Sequence, residues 1–456
     1  MTTRRSIFAA AGSLLLAACA GMPQGAAPPP IVFVHGNGDS ASIWQSTLWR
    51  FESNGWPRER LHAIDLPYPL GRDDDGKAQP GRSSSAEHMA FLKAEVEKVM
   101  QATGAPKVVL VANSRGGYAV RNYIQNGGGD KTVSHALLGG TPNHGVWAIK
   151  GFREANEFAG TGPFLSALNA PKNAAGDEVT GPVKWMTLRS DNNDKFAQPD
   201  GVWIGARGTP TQVGFDGPAL KGAHNVVLPR VDHRETSFAP AAFDAMHRFI
   251  TGQAPRASGI TPQTPAVLNG KITGLGLSST DPASGNYSNN LPVPGAQLAV
   301  YAIDPATGER RGAAVHNKTV GADGLWGPFA AQAGAYEFVI MAPGYATTHI
   351  YRSAFPRGSN LIHLRAERLA TADKDAKSVV TFTRPRGYFD AARDTMSFDG
   401  KALPGVPPAG AGVASSKIQL AESGMRSITA EFNGEKITGR TWPAAENHLV
   451  ILELTY

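Results

Sequence analysis

A single cysteine, Cys19, stands in 456 residues. No disulfide can therefore close within the chain, and stability has to come from packed cores. Past the first residues no segment approaches the roughly 18 to 20 uninterrupted apolar residues of a membrane span. Lys and Arg number 44 against 38 Asp and Glu, for a formal charge of +6. They are scattered, without a basic run or interleaved aromatics, which excludes a nucleic-acid footprint. With 41% hydrophobic and 18% charged residues the composition is globular. The length exceeds what one ordinary core organises, so two or three domains are expected.

What is present begins with a targeting pattern. Arg4-Arg5 precede an apolar run from Ile7 to Ala18, and Leu16-Ala17-Ala18-Cys19 has the small residues at which a lipoprotein signal peptidase cleaves before cysteine. The expectation is a signal peptide over residues 1–18, lipidation of Cys19, membrane attachment through that anchor, and a tether rich in Pro, Ala and Gly over 19–30. Such a chain is exported, as an outer-membrane or periplasm-facing lipoprotein or a secreted protein. Twin-arginine and ordinary Sec export both fit the leader.

The rest is organised around Lys107 to Gly117, Lys-Val-Val-Leu-Val-Ala-Asn-Ser-Arg-Gly-Gly. Val108 to Ala112 reads as a strand buried on both faces, and the small residues after Ser114 allow an abrupt turn into a helix. Against Gly-x-Ser-x-Gly the segment matches at Ser114 and Gly116, with Ala112 at the first position. Around it runs an α/β rhythm over 31–252. Strands are expected at Ile31 to Val34, Leu61 to Leu66, His135 to Gly139, Val183 to Leu188 and Val226 to Val231, and helices at Ile43 to Ser53, Glu87 to Thr103, up to Asn126 and at Pro240 to Thr251. That alternation implies a mostly parallel sheet covered on both faces, with ligands at the carboxyl ends of its strands. Asp73-Asp74-Asp75, in a loop rich in Gly and Pro, reads as a solvated surface rather than a metal site.

A serine nucleophile needs a base within hydrogen-bond reach, and the base needs an acid that fixes its tautomer. Of twelve histidines, His233 alone follows the last expected strand; His224 precedes that strand, and His247 is inside a helix. The loop after Leu188 offers two acids, and Asp194, further into the loop, is preferred to Asp191, which suits a turn. The order Ser114, Asp194, His233 is the one α/β-hydrolases use. Two backbone donors for an oxyanion are expected at Asn37, after His35-Gly36, and at Arg115, where the next helix starts.

Over 31–252 the chain resembles the α/β-hydrolases, among them bacterial lipases and esterases. The resemblance rests on His35-Gly36, the elbow Ala112 to Gly116, the turn Gly140-Thr141-Pro142-Asn143-His144-Gly145, and the placing of Asp194 and His233. Departures are Ala112 and also Asn113, where a histidine often precedes the serine. An insertion at about 145–182, with Trp147, Phe152, Phe158, Phe164, Leu165 and Leu168, reads as a cap over an apolar acyl pocket. Trp147 and His144 are its candidate substrate-binding residues.

After a Pro-rich linker at 253–265, short β-prone runs suggest two sandwich-like units, 266–365 and 366–456. The first resembles prealbumin-like or carboxypeptidase regulatory-like domains. Core packing is the preferred role for Trp326, Tyr345, Tyr351 and Trp442. The implied function is serine-dependent hydrolysis of a small-molecule or polymeric ester, without a cofactor or metal. The alternatives are a polyester depolymerase or polysaccharide esterase, and a non-catalytic surface-binding lipoprotein. Every proposed catalytic residue precedes the linker, so a chain ending near Gly252 is expected to keep the triad.

Overall fold

Ile31–Val34 (β1) is four consecutive apolar residues because both of its faces are covered. Ile31 and Phe33 point into one core, Val32 and Val34 into the other. Five further strands lie beside it in the computed structural model: Leu61–Ile64 (β2), Val108–Asn113 (β3), Val133–Gly139 (β4), Lys184–Ser190 (β5) and His224–Leu228 (β6). All pair in parallel, in the order β2-β1-β3-β4-β5-β6. Helices Gln45–Ser53 (α1) and Pro240–Thr251 (α4) close one face around Phe33, Phe51 and Phe243. Helices Ser85–Thr103 (α2) and Arg115–Asn126 (α3) close the other around Leu92, Val96, Leu110 and Tyr123. The structure describes residues 27–191, 193–197, 200–274, 289–373, 375–410 and 412–456. The signal peptide, Cys19 and most of the tether lie outside them.

Several boundaries differ from the sequence reading, and three of them border the site or have a local cause. Helix α2 begins at Ser85 because Ser84 and Glu87 form a capping box. Strand β5 runs on through Arg189 and Ser190, which pair with Val227 and Leu228. Strand β6 occupies 224–228, so Pro229 to Asp232 separate it from His233. Asp75, in the acidic run, accepts from the backbone N–H of Ser85 at 2.7 Å, a contact at the start of α2. Among the described residues no cluster of His, Cys, Asp and Glu suits a metal ion.

The β-rich half centres on a seven-stranded sheet. Its order is His316–Thr319, Gln297–Ile303, Ala335–Met341, Thr347–Arg352, His448–Glu453, Ser378–Thr383, Ser415–Leu420. The near-terminal strand His448–Glu453 lies between strands of the first and second β units and runs parallel to both. Its side chains alternate. Leu449 and Ile451 join Trp326, Phe338 and Ile350 in one core, and Val450 and Leu452 join Phe382, Phe389 and Phe432 in the other. The units 266–365 and 366–456 therefore meet along a common sheet with one core on each face. Trp326 and Tyr351 are buried in these cores, while Tyr345 and Trp442 are half-buried.

The β-rich half is also fastened to the parallel sheet and its helices. Trp49 of α1 is buried in the first β core and donates from its indole nitrogen to Gly358 O at 2.8 Å. Asn290 Nδ2 donates to Asp39 O at 2.8 Å and Leu66 O at 2.9 Å, tying the loop after β1 to the loop after β2.

Candidate active site

Strand β3 delivers Ser114 into a backbone conformation with φ 52° and ψ −124°, in the positive-φ region that a non-glycine residue occupies only under constraint. Neighbours supply that constraint. Ser114 N–H donates to Gly139 O at 2.8 Å, and its carbonyl accepts from Gly117 N–H at 2.9 Å and from Thr141 Oγ at 3.1 Å. A side chain at Gly116 would come within 2.6 Å of Val34 O. The helix can cross β1 closely only because that residue is glycine.

His233 and Asp194 come together beside the serine. Asp194 Oδ2 lies 2.7 Å from His233 Nδ1, with both side chains buried. Asp191 is elsewhere, its Oδ1 accepting from Arg230 N–H at 3.1 Å. The ring of Phe196 meets His233 edge-on, with centroids 4.6 Å apart. The loop of His233 is held from inside the domain by Asn113, whose Nδ2 donates to His233 O at 3.2 Å and Gly139 O at 3.3 Å. Asn113 thus links the turn at Ser114 to the loop of His233.

Ser114 and His233 share a cavity of about 200 Å³. Its apolar wall comes from the cap, as Val146, Trp147 and Phe158, and from the loop after β5, as Phe196, Trp203 and Ile204. Other cap residues face inward: Leu165 and Leu168 bury against Tyr118 of α3. Gly36 and Asn37 form the rim beside the serine. Asn37 Oδ1 accepts from Gly71 N–H at 2.7 Å, so that side chain fixes a turn.

Arg115 contributes the first backbone N–H of α3, one of the amides a helix leaves without an internal partner. Its side chain is fully buried elsewhere, with Nε 2.6 Å from Glu157 Oε1 of the cap and a guanidinium nitrogen 2.7 Å from Ser83 O. His35 supports the rim. Its Nδ1 faces Gly36 O at 2.9 Å and its Nε2 accepts from Leu66 N–H at 3.0 Å, while burial pushes its pKa down. His144 lines a second, smaller cavity that His233 and Asp194 also border, and its Nε2 lies 2.9 Å from Glu178 Oε1. The sequence reading put it with the substrate; it is not among the residues around Ser114.

Sequence reasoning missed Phe196, Trp203, Ile204, Arg234 and Tyr388. The first three lie in an irregular loop without periodicity. Tyr388 comes from the second β unit, beyond the linker, yet lines the same cavity as Ser114. An Arg-Pro-Arg-Gly-Tyr stretch between β-prone runs carries no signal that would have pointed there.

Residues 28–159 match the family model of class 2 lipases, and residues 264–369 match that of the lipase C-terminal domain. Among solved structures the chain is similar to the mature form of lipase BlEst2 of Bacillus licheniformis at 21% identity, over 49% of this chain and 93% of that one, with a TM-score of 0.35. The propeptide form of that lipase matches at 15% identity over 91% of this chain and 92% of that one, with a TM-score of 0.35. The esterase RhEst1 from Rhodococcus sp. matches at 18% identity over 50% of this chain and 92% of that one, with a TM-score of 0.31.

Proposed function

From a chain that belongs to the α/β-hydrolase lipases and esterases, carries a lipase C-terminal domain and is a carboxylic ester hydrolase, we propose that hydrolysis runs through Ser114, His233 and Asp194 by way of an acyl-enzyme. Ser114 Oγ attacks the ester carbonyl carbon as His233 Nε2 takes its proton. Asp194 holds Nδ1–H, so that Nε2 is the basic nitrogen and the imidazolium that forms is stabilised. The carbonyl oxygen, now negative, is received by the backbone N–H groups of Asn37 and Arg115. His233 then protonates the leaving alcohol. A water activated by the same nitrogen cleaves the acyl-serine and restores the hydroxyl.

The observation that carries this reading is the strained Ser114 sharing one cavity with the hydrogen-bonded His233–Asp194 pair. The aromatic and aliphatic wall, to which the cap contributes Trp147 with Val146 and Phe158, favours an apolar acyl chain. A volume of about 200 Å³, below the roughly 300 Å³ at which drug-sized sites begin, favours a short one. The test is Ser114→Ala with a series of p-nitrophenyl esters from acetate to palmitate. Turnover is expected to fall by several orders of magnitude in the variant, and wild-type kcat/KM to be highest for short chains. A variant retaining a tenth of the wild-type rate would remove Ser114 from the role. The leader supports export with a lipid on Cys19, to be checked by mass spectrometry of the mature amino terminus.

A further inference from the structure

The loops that carry the acid and the base are held from outside the hydrolase sheet. Lys195 follows Asp194, and its Nζ sits 4.0 Å from the ring centroid of Tyr388. Arg234 follows His233, and its guanidinium carbon lies 5.1 Å from the centroid of the same ring. Arg234 Nε also reaches Asp39 Oδ2 at 3.1 Å, two residues past Asn37 on the oxyanion rim. One buried aromatic ring thus adjoins the residues next to acid and base, and through Arg234 the third loop of the site.

Polar contacts fix the backbone that carries the ring. Tyr388 N–H donates to Asp232 Oδ2 at 2.8 Å, and Arg384 reaches the same oxygen at 2.9 Å. Asp232 Oδ1 accepts from the N–H groups of Arg234 and Glu235 at 2.8 and 2.9 Å, closing the turn on which His233 sits. Arg384 and Arg393 each pair with Glu235 at 2.5 Å. On the acid side, Lys195 Nζ donates to Gly412 O at 2.9 Å. Every donor and ring in this set beyond position 252 belongs to the second β unit.

Resting on the triad proposed above, we infer that Tyr388 is a positioning residue for ester hydrolysis, its ring holding the Asp194 and His233 loops in register through Lys195 and Arg234. A cation over a desolvated aromatic face is attracted by the ring's quadrupole, and two cations share this ring. Without the ring both loops keep their backbones but lose the common stop that sets Asp194 against His233 and His233 against Ser114. Misplacement of about 1 Å costs turnover on the order of 100-fold.

The experiment uses the full chain and a short soluble ester, p-nitrophenyl butyrate, with kcat, KM and melting temperature measured for Tyr388→Leu and Tyr388→Phe. Tyr388→Leu is expected to lower kcat about 10- to 100-fold with KM within about twofold, while Tyr388→Phe, which keeps the aromatic face, restores most of the turnover. Wild-type kcat in Tyr388→Leu overturns the inference. An effect on KM alone overturns it too, making Tyr388 only a wall of the cavity, as does a Tyr388→Phe that falls as far as Tyr388→Leu. Should Tyr388→Leu not fold, Lys195→Met approaches the contact from the other side, and an unchanged kcat there is equally fatal. Ser114→Ala in the same assay keeps the two claims apart. Loss in Ser114→Ala beside full turnover in Tyr388→Leu sinks this inference alone, whereas turnover surviving in Ser114→Ala sinks the triad and this inference with it.

Discussion

Asp194 Oδ2 accepts from His233 Nδ1 at 2.7 Å, while Asp191, three residues earlier, accepts from the backbone N–H of Arg230 at 3.1 Å. The two carboxylates have different partners: one meets an imidazole nitrogen, the other ties the loop after β5 to the turn after β6. Asp194→Asn should lower kcat by a factor on the order of 10⁴, because the histidine is then held in the wrong tautomer. Asp191→Asn should leave kcat within a few-fold and lower the melting temperature slightly. Steady-state kinetics of the pair decide it, and the reverse ranking would move the acid's role to Asp191.

A chain ending at Gly252 should fail on a small soluble ester as well as on a large one. Truncation removes Tyr388, Arg384 and Gly412, which contact the acid and base loops. It also bares Trp49, which is fully buried in the β core. Expression, melting and p-nitrophenyl butyrate assays of the truncated and full chains test this. A truncated protein that turns the ester over at the wild-type rate would return the site to the hydrolase domain alone, as the sequence suggested.

What the sequence revealed and what it hid divide along physical lines. Val108 to Ala112 is a continuous apolar run because a central parallel strand is buried on both faces, so the elbow could be read directly. The placing of His233 and Asp194 followed from chain order, since loops after late strands of such a sheet must reach the same end. Strand β6 was misplaced because it lies at an edge. Val227 is half exposed, and alternation there is too weak to fix a register. Ser84-Ser85-Ala86-Glu87 carries a helix start in its sequence, the serine and glutamate three residues apart that form the capping box. Tyr388 was beyond reach, because its contacts depend on how two domains dock and no local pattern encodes that.

Glu337, buried in the β sheet, accepts from His349 Nδ1 at 2.7 Å, Tyr351 OH at 3.0 Å and Arg310 Nε at 2.6 Å. Burial pushes its carboxyl pKa up, but the hydrogen bonds from His349 and Arg310 outweigh burial and leave it below the ordinary value. The charged form is therefore favoured by folding. That stabilisation is complete above the unfolded pKa of about 4.3 and is lost as pH falls through the lower folded value. Glu337→Gln should cost about 3 kcal/mol at neutral pH, and the gap in melting temperature should narrow in acid. Melting curves from neutral pH downward test it, and a gap independent of pH would assign the loss to shape rather than charge.

Lys195 gives the opposite limb. Its ammonium is enclosed by Tyr388 at 4.0 Å, Trp203 at 4.5 Å and Phe196 at 4.9 Å from the ring centroids. Burial, with Arg234 adding to it, lowers its pKa to about 8, while Asp194 and Asp232 oppose the fall. Above that pH the proton leaves, and with it the attraction to the Tyr388 face, so turnover corrected for spontaneous hydrolysis should decline through about pH 8. Stability should move the other way. The unfolded lysine holds its proton up to about 10.4, so from about 8 to that value the unfolded state binds more protons and this group's contribution to stability rises with pH. A loss of kcat in a window where this contribution grows would mark a loosened site rather than unfolding. Lys195→Arg stays charged throughout and should shift the decline to higher pH. A profile unchanged by that substitution would show that another group sets the alkaline limb.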